Sequence, residues 1–191
     1  IAHVPMRRTR LVTERLVLRE WTRDDGDRAF LFDMYRRPEV RRYLGDGRVM
    51  VDAAEVDALL DRWAGLADGV LGVRAVATPD GARLGSVLLK RIPWSTGVSD
   101  GRPDDVEIGW HFHPDAWGDG HATEAAAAVM GLARDHGIRR IVAVTNPANT
   151  ASGAVAERIG LHPAGETRDY YDTTCALYVS HDDDEVSVER T

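Results

Sequence analysis

Cysteine, long hydrophobic runs and clustered basic charge are all scarce in this chain of 191 residues. Its single cysteine, Cys175, excludes an internal disulfide framework and is typical of a reducing compartment, so a cytoplasmic location is expected. No apolar run reaches the roughly 18–20 residues that a membrane-spanning helix needs. No signal-peptide pattern is recognisable either, so no membrane partner is expected.

The charge balance is acidic, with 31 Asp and Glu residues against 24 Lys and Arg residues and a formal net charge of −7. Basic residues cluster only in a short group near the start, at Arg7, Arg8 and Arg10. Proteins that bind nucleic acid usually carry a basic patch or stripe, so no nucleic-acid partner is expected. An acidic surface instead attracts cationic or amine-bearing molecules.

The length fits one domain that is large enough to bury its own core. We assign residues 13–180 to this domain and residues 1–12 to an N-terminal extension, of which residues 1–5 precede Met6 and are interpreted as a cloning remnant. Residues 181–191 contain the run Asp-Asp-Asp-Glu and are expected to form a solvated acidic tail. No internal repeat or linker divides the domain.

The order of apolar periodicities predicts an α+β fold around one sheet. Strands are predicted near residues 15–21, 70–77, 84–92, 106–113, 141–145, 162–168 and 174–180. Helices are predicted from Asp24 to about Tyr35, after Pro38, and over residues 52–66, 120–136 and 149–160. Residues 93–105 are rich in Gly, Ser, Pro and Asp and are expected to form a mobile loop.

Residues 107–125 predict a strand that runs through a Gly-x-Gly turn into a helix. Several backbone N–H groups at such a junction lack partners and point together at the positive end of the helix dipole. Gly118 and Gly120 let this backbone approach a ligand closely, unless they only form an ordinary turn. The segment therefore predicts a site for a phosphate or pyrophosphate.

Three segments in this order resemble the GCN5-related N-acetyltransferase (GNAT) superfamily. The family's phosphate loop follows the pattern Arg/Gln-x-x-Gly-x-Gly/Ala, which the branch with the ribosomal-protein N-terminal (Rim-type) enzymes often writes as Trp-Gly-x-Gly-Tyr-Ala-Thr-Glu-Ala. Residues 117–125 here read Trp-Gly-Asp-Gly-His-Ala-Thr-Glu-Ala. A second family segment is matched by Asn149, Ser152, Glu157, Gly160 and Leu161, and residues 13–19 resemble the branch's opening strand.

The resemblance implies a mixed, mostly antiparallel sheet of about seven strands, in which a bulge splays the family's fourth and fifth strands apart. The slot between them would hold acetyl-coenzyme A (acetyl-CoA) as a co-substrate, with no metal. Backbone amides from Gly118 to Ala122 would cradle the pyrophosphate, while the strand that ends at Phe112 and His113 would pair with the pantetheine arm. The implied cofactor-binding residues are Phe112, His113, Trp117, Gly118, Asp119, Gly120, His121, Ala122, Asn149 and Ser152.

The implied reaction is direct transfer of the acetyl group to a primary amine, which must lose a proton. Glu107 is the leading candidate for the base, because a carboxylate that is partly shielded from water binds a proton more strongly. The alternatives are that Glu107 pairs with an arginine or faces solvent. His111, which strand alternation places on the same face as Glu107, Gly109 and His113, is the competing base.

The departing thiolate also needs a proton. Many relatives use a tyrosine seven residues after the asparagine, but that position here is Ala156. The Rim-type relatives also lack this tyrosine, and the resemblance to them implies Ser152 as the donor, with Tyr170 or Tyr171 as substitutes. Asn149 either binds the pantetheine amide or only caps its helix. A backbone N–H of residues 110–112 would polarise the acyl carbonyl.

Several alternatives remain open at this stage. The Gly-x-Gly turn could belong to a dinucleotide site, and His111, His113 and His121 could hold a metal, although neither pattern has its usual spacing. The same fold could serve a non-catalytic, regulatory acyl-CoA-binding module. The acceptor could be a protein N-terminal amine, towards which the resemblance leans, or a small-molecule amine or antibiotic. Relatives often dimerise, so a homodimer is among the expected assemblies.

Overall fold

Eight strands form one sheet in the computed structural model, which describes residues 10–98 and 105–180. Their order across the sheet is β1-β2-β3-β4-β5-β6-β8-β7, and every neighbouring pair is antiparallel except β5 and β6. The strands are β1 (Leu11–Val12), β2 (Val17–Glu20), β3 (Gly72–Ala77), β4 (Arg83–Ile92), β5 (Asp105–Phe112), β6 (Ile141–Thr145), β7 (His162–Thr167) and β8 (Cys175–Val179).

Helices cover both faces of this sheet. They are α1 (Asp25–Tyr35), α2 (Pro38–Arg41), α3 (Ala54–Ala64), α4 (His121–Asp135) and α5 (Thr150–Arg158), with a 3₁₀ turn over Pro114–Ala116. Asp24 caps α1 by accepting a hydrogen bond from the amide of Asp27, as its position before the apolar pattern predicts. Helices α4 and α5 pack their alanine-rich faces on one side of the sheet, and α1 to α3 form a second apolar cluster on the other side.

The predicted strands and helices are confirmed in type and order, and strand β1 and the 3₁₀ turn are additional. Strand β1 was not predicted, because two residues are too few to show an alternating pattern. Of the predicted loop, residues 99–104 lie outside the described residues, as do residues 1–9 and 181–191. In the described part of that loop, Trp94 stacks on Tyr170, and the amide of Thr96 donates to Asp172. Among the helices that the structure describes, none is long and apolar enough to cross a membrane.

The slot strand β5 keeps an unbroken register with β4, from Gly85 opposite Phe112 to Ile92 opposite Asp105. No bulge interrupts this pairing, whereas the expected splay of the family's fourth and fifth strands, which are β5 and β6 here, is confirmed. The strands part on the other side of β5, since β5 pairs with β6 only at Val106 and Glu107. Beyond Glu107 the two strands diverge and leave an open edge.

Gly85 allows β4 and β5 to approach closely. A Cβ at this position would lie 2.4 Å from the backbone oxygen of His111 and 2.8 Å from the Cα of Phe112. We expect Gly85→Ala to lower the free energy of unfolding by about 1–3 kcal/mol, because the clash involves backbone that cannot rotate away. Urea unfolding measures this. Gly131→Ala in α4 is the control, since its Cβ would meet nothing within 4 Å and alanine favours a helix. Equal stability of the two variants would contradict the expectation.

Candidate active site

A groove of about 1390 Å³ opens where β5 and β6 diverge, and the amino end of α4, helix α5 and the chain around α2 form its walls. Three consecutive residues of β5, Trp110, His111 and Phe112, line its floor. The polypeptide thus supplies a strand edge and a helix amino terminus to one cavity. This combination suits an extended ligand that carries an anionic end.

The backbone of β5 presents hydrogen-bonding groups to this groove. The amide of His113 donates to the oxygen of Leu84 at 2.9 Å, so it faces β4. Backbone direction alternates along an antiparallel strand, and the groups of Trp110 and Phe112 therefore point the opposite way, into the gap. The indole of Trp117 donates to the oxygen of Phe112 at 2.9 Å and so occupies one of these acceptors.

The turn before α4 gathers backbone amides at the other end of the groove. Gly118 and Gly120 have φ angles of 88° and 77°, which other residues adopt only with strain. Gly120 is the N-cap of α4, so the amides of the first helical turn have no acceptor within the helix. Gly118, Gly120, His121 and Ala122 all line the groove. The geometry is that of an anion-binding helix terminus.

Arg15 also lines this end of the groove, although it was not among the predicted site residues. Its guanidinium donates to Glu124 through Nε at 2.7 Å and to the backbone oxygen of Asp119 through Nη1 at 2.9 Å. Burial would raise the pKa of Glu124, but hydrogen bonds from Thr13 and Arg15 outweigh it and lower the pKa. The opening segment of the chain is thereby joined to the phosphate turn.

Helix α5 contributes Asn149 and Ser152 to the opposite wall. The side-chain oxygen of Asn149 accepts from the amide of Ser152 at 3.2 Å, so Asn149 is an N-cap. Its side-chain NH₂ group remains available to a ligand, because the cap uses only the oxygen. Capping and cofactor binding are therefore compatible in this residue.

Glu107 lies outside the groove lining, in a closed cluster on the face opposite to α4. Its Oε2 is 2.7 Å from the Nζ of Lys90 and accepts from the hydroxyl of Tyr171 at 2.5 Å, and Lys90 also donates to Tyr171 at 2.7 Å. Burial, and then the neighbouring Glu107 charge, raise the pKa of Tyr171. Glu107 thus has a basic partner, as the alternative to its catalytic role supposed, but this partner is a lysine. In the sequence, the only indication of such a partner was that Glu107 is a charged residue within an otherwise apolar strand.

His111 lines the groove on the same face as Glu107, and its Nδ1 lies 2.8 Å from the hydroxyl of Tyr35. Burial lowers the pKa of His111 to about 4, and the positive charges of Arg41 and Lys90 act in the same direction. The imidazole is consequently neutral at neutral pH. When its proton is on Nδ1, the ring donates to Tyr35, and Nε2 is left as a proton acceptor for a substrate.

His113 points away from the groove towards α1, where its Nε2 lies 2.9 Å from Asp33. Its amide is already paired with Leu84, so the pairing with the pantetheine arm that was expected of it has no free donor. The third histidine of the metal alternative, His121, bonds the backbone oxygen of Ala116. The three rings thus have three separate partners. No cluster of His, Cys, Asp or Glu suited to a metal occurs among residues 10–98 and 105–180.

The groove therefore unites most of the predicted site. The predicted residues that line it are Phe112, Trp117, Gly118, Gly120, His121, Ala122, Asn149 and Ser152. Glu107, His113 and Asp119 do not line it, although the backbone oxygen of Asp119 holds Arg15 at its rim. Tyr170 lies apart, with its hydroxyl on Asp105 at 2.5 Å.

Comparison with protein families matches residues 15–162 to the acetyltransferase (GNAT) domain. The chain is also 30% identical over 164 residues to the uncharacterized protein YkkB of Bacillus subtilis, a match that covers 81% of this chain and 86% of that protein. The match to the family spans both the phosphate turn and the helix that bears Asn149 and Ser152.

Two solved structures share this fold at lower identity. The ribosomal L7/L12 alpha-N-protein acetyltransferase RimL, in complex with coenzyme A, has a TM-score of 0.70 and 18% identity, and 88% of this chain covers 95% of it. AAC(6')-Ib, in complex with ribostamycin and coenzyme A, has a TM-score of 0.69 and 18% identity, with 93% and 99% covered. At such identities the likeness concerns the fold alone.

Proposed function

The chain belongs to the acetyltransferase (GNAT) domain family, and from that premise we propose that it transfers the acetyl group of acetyl-CoA directly to a primary amine. One observation carries the proposal: a single groove joins the open edge of β5 to the glycine-bounded amino end of α4. A strand edge suits the amide-bearing pantetheine arm, and a helix terminus suits the pyrophosphate.

Each part of the cofactor has a matching surface in this groove. The pyrophosphate binds the backbone amides between Gly118 and Ala122. The pantetheine arm extends along β5, where the backbone oxygen of Trp110 and the amide of Phe112 replace the pairs that β6 does not supply. Asn149 offers its NH₂ group from the opposite wall.

The transfer moves one proton from nitrogen to sulfur. The neutral amine attacks the thioester carbonyl, the new C–N bond forms, and the C–S bond breaks to release the coenzyme A thiolate. The backbone N–H of Trp110, which points into the gap, stabilises the developing oxyanion. A base takes the proton that the nitrogen loses, and the hydroxyl of Ser152 on the groove wall gives a proton to the thiolate.

His111 is the base that the geometry supports best. It lines the groove and is neutral, so in the tautomer with its proton on Nδ1 the ring donates to Tyr35 and Nε2 can accept a proton. Glu107 is the second candidate and lies on the same face of β5 as His111, two residues before Gly109. It lies outside the groove lining, however, and Lys90 and Tyr171 both bind its Oε2, so only its Oε1 is left for a proton.

The weak basicity of His111 favours an acceptor amine that is itself weakly basic. A protein α-amine has a pKa of about 8, so an appreciable fraction is neutral near neutral pH, whereas a lysine-like amine with a pKa of about 10.4 is almost wholly protonated. We therefore place a protein N-terminal α-amine first among acceptors, in line with the resemblance to the Rim-type branch. A small-molecule amine or antibiotic is second, because the aminoglycoside-bound AAC(6')-Ib shares the fold to the same degree.

A regulatory acyl-CoA-binding module is the alternative function. The observation that favours it is the closed cluster of Glu107, Lys90 and Tyr171, which holds the leading carboxylate away from the groove. Such a module would bind acetyl-CoA through the same groove without releasing thiol in the presence of any amine. The two functions thus differ in turnover and agree in binding.

Acetyl-CoA at about 100 times its dissociation constant is expected to stabilise the protein by about 2.7 kcal/mol. For a domain of this size, the melting temperature would rise by about 5–10 °C. Gly120→Ala should remove most of this shift, since a Cβ disfavours φ of 77° and reorients the amides. Gly81→Ala is the matched control, because Gly81 also has a positive φ, of 94°, but lies in the β3–β4 turn.

A parent protein that shows no shift with acetyl-CoA would contradict the proposed cofactor. An amine panel then tests turnover by thiol release and should include a peptide with a free N-terminus, a polyamine and an aminoglycoside. Release with the peptide alone supports the preferred acceptor. Binding without release for every amine would support the regulatory module.

A further inference from the structure

We propose that the side chain of Arg15 is part of the pyrophosphate site and that Glu124 holds it there. The inference rests on the proposed function, since it concerns how the same groove binds acetyl-CoA. It adds a cation from the opening segment of the chain to a phosphate turn that lies about a hundred residues further on. The phosphate site is then composite, and its charge comes from outside the Gly-x-Gly turn.

The position of Arg15 is fixed by several hydrogen bonds. The Oε2 of Glu124 accepts from Nε of Arg15 at 2.7 Å and lies 2.7 Å from Nη2 in the ion pair. The Oε1 of Glu124 accepts from the hydroxyl of Thr13 at 2.5 Å and from the Arg15 amide at 3.0 Å. Nη1 donates to the oxygen of Asp119 at 2.9 Å. Contacts with two separate acceptors, Oε2 of Glu124 and the backbone oxygen of Asp119, restrict the orientation of the guanidinium as well as its distance.

The guanidinium retains donors and lies beside the phosphate turn. Arg15 carries five side-chain N–H groups, of which the contacts with Glu124 and Asp119 use three, leaving one each on Nη1 and Nη2. Its Nη2 lies 3.6 Å from the point where a Cβ of Gly120 would stand. The guanidinium thus lies beside Gly120, and Arg15 lines the groove there.

The turn itself needs a cation from elsewhere. Residues 114–123 contain Asp115 and Asp119 but no lysine or arginine. In the family pattern Arg/Gln-x-x-Gly-x-Gly, the position of the Arg or Gln is occupied here by Asp115, whose side chain is 86% exposed. A pyrophosphate bound to the amides would meet two nearby carboxylates without a neutralising side chain of the turn. Arg15 supplies the opposite charge at the rim.

The test measures binding of coenzyme A and of 3′-dephospho-coenzyme A by calorimetry. Arg15→Gln is expected to weaken the binding of both ligands by about tenfold or more, which is the usual worth of a hydrogen bond to a charged group. Glu124→Gln should weaken both by a smaller factor, because it loosens the guanidinium but keeps its charge. Arg28→Gln is the control, since Arg28 also joins two elements through an exposed ion pair, with Asp57, but lies outside the groove lining.

Kinetics and salt dependence separate a binding role from a merely structural one. For Arg15→Gln, the KM for acetyl-CoA should rise by about tenfold while the KM for the amine and kcat change by less than about twofold. The dissociation constant of the parent should increase more steeply with sodium chloride than that of the variant, because one charge contact is missing. Arg15→Lys, which keeps the charge, should retain most of the parent's salt dependence even if Arg15→Gln folds poorly.

Three results decide the matter. Parent-like affinity of Arg15→Gln for both ligands would overturn the inference. A loss seen with coenzyme A but absent with the 3′-dephospho form would also overturn it, because the contact would then be with the 3′-phosphate. If the parent itself fails to bind coenzyme A, the proposed function falls, whereas a parent that binds and an Arg15→Gln variant that binds equally well leave that function standing.

Discussion

Replacing His111 with glutamine is expected to lower kcat by about 10²- to 10⁴-fold, which is the usual contribution of a positioned general base. Binding of acetyl-CoA should change little, because the pyrophosphate and pantetheine surfaces remain. Glu107→Gln should lower kcat by less than about tenfold, since this carboxylate lies outside the groove lining and is held by Lys90 and Tyr171. The two variants therefore rank the two candidate bases.

Steady-state thiol release at saturating acetyl-CoA measures both effects. Tyr35→Phe is the matched control, because it removes the hydroxyl that lies 2.8 Å from His111 but leaves the imidazole in place. This variant should lose less activity than His111→Gln and should retain the same acceptor preference. If Glu107→Gln is the slower of the two base variants while its melting temperature is unchanged, Glu107 is the base and the assignment of His111 is wrong.

The pH dependence of stability gives an independent check on His111. Its folded pKa of about 4 lies below the ordinary value of 6.5, so the unfolded chain binds a proton first as the pH falls. The contribution of neutral His111 to the free energy of unfolding is fully present above pH 6.5 and is lost progressively as the pH falls to about 4. The shift corresponds to roughly 3 kcal/mol, and His111→Gln should flatten the stability profile across this interval.

Replacing Asp27 with asparagine is expected to lower the free energy of unfolding by about 3–5 kcal/mol, as for other buried ion pairs that lose one partner. The carboxylate of Asp27 is fully buried. It accepts from Nη1 and Nη2 of Arg19 at 2.8 and 2.7 Å and from Nε of Arg83 at 2.6 Å. It also accepts from the amide of Thr22 at 2.8 Å. Asparagine cannot satisfy all of these donors and would leave Arg19 and Arg83 with only the more exposed Asp24, 3.4 Å from Nη2 of Arg83, as a nearby counter-charge.

Chemical unfolding at pH 7 and at lower pH measures this loss. Asp57→Asn is the control, because Asp57 pairs with Arg28 in an exposed position, where ion pairs contribute at most about 1 kcal/mol. Burial would raise the pKa of Asp27, but hydrogen bonds from Arg19, Thr22 and Arg83 outweigh it and lower the pKa. The stabilisation is therefore present above the ordinary aspartate pKa and is lost as the pH falls below about 4. A variant within 1 kcal/mol of the parent at pH 7 would contradict this account.

Features that depend on neighbouring residues were predictable from the sequence. Asp24 predicts the start of α1, because an N-cap residue binds amides within three residues of itself. The Gly118–Gly120 turn predicts an anion site, because backbone conformation depends on the local sequence. Strand alternation also placed Glu107 and His111 on one face correctly, since β5 keeps a continuous register. Local sequence patterns were enough to predict these features.

Features that depend on distant partners were not predictable in the same way. Arg15 reaches Glu124 and Asp119 across more than a hundred residues, and Tyr171 reaches Glu107 across 64. The direction of the His113 amide depends on which strand lies beside β5, and a sequence pattern does not contain that information. The residue types of the site were thus easier to predict than the long-range contacts that determine what each side chain can bind.

The brief contact between β5 and β6 divides the sheet into two plates joined by a narrow seam. Strands β1 to β5 form one plate and strands β6 to β8 the other. Within residues 10–98 and 105–180, the ladder between these strands consists of the pairs Val106–Ile141 and Glu107–Val142, and an isolated bridge joins Trp94 and Tyr170 beyond the strand ends. A pantetheine arm bound beyond this seam would add contacts between the two plates. Occupancy of the groove should therefore slow amide hydrogen exchange in β6 and β8 together with β5, so that both plates open as one unit.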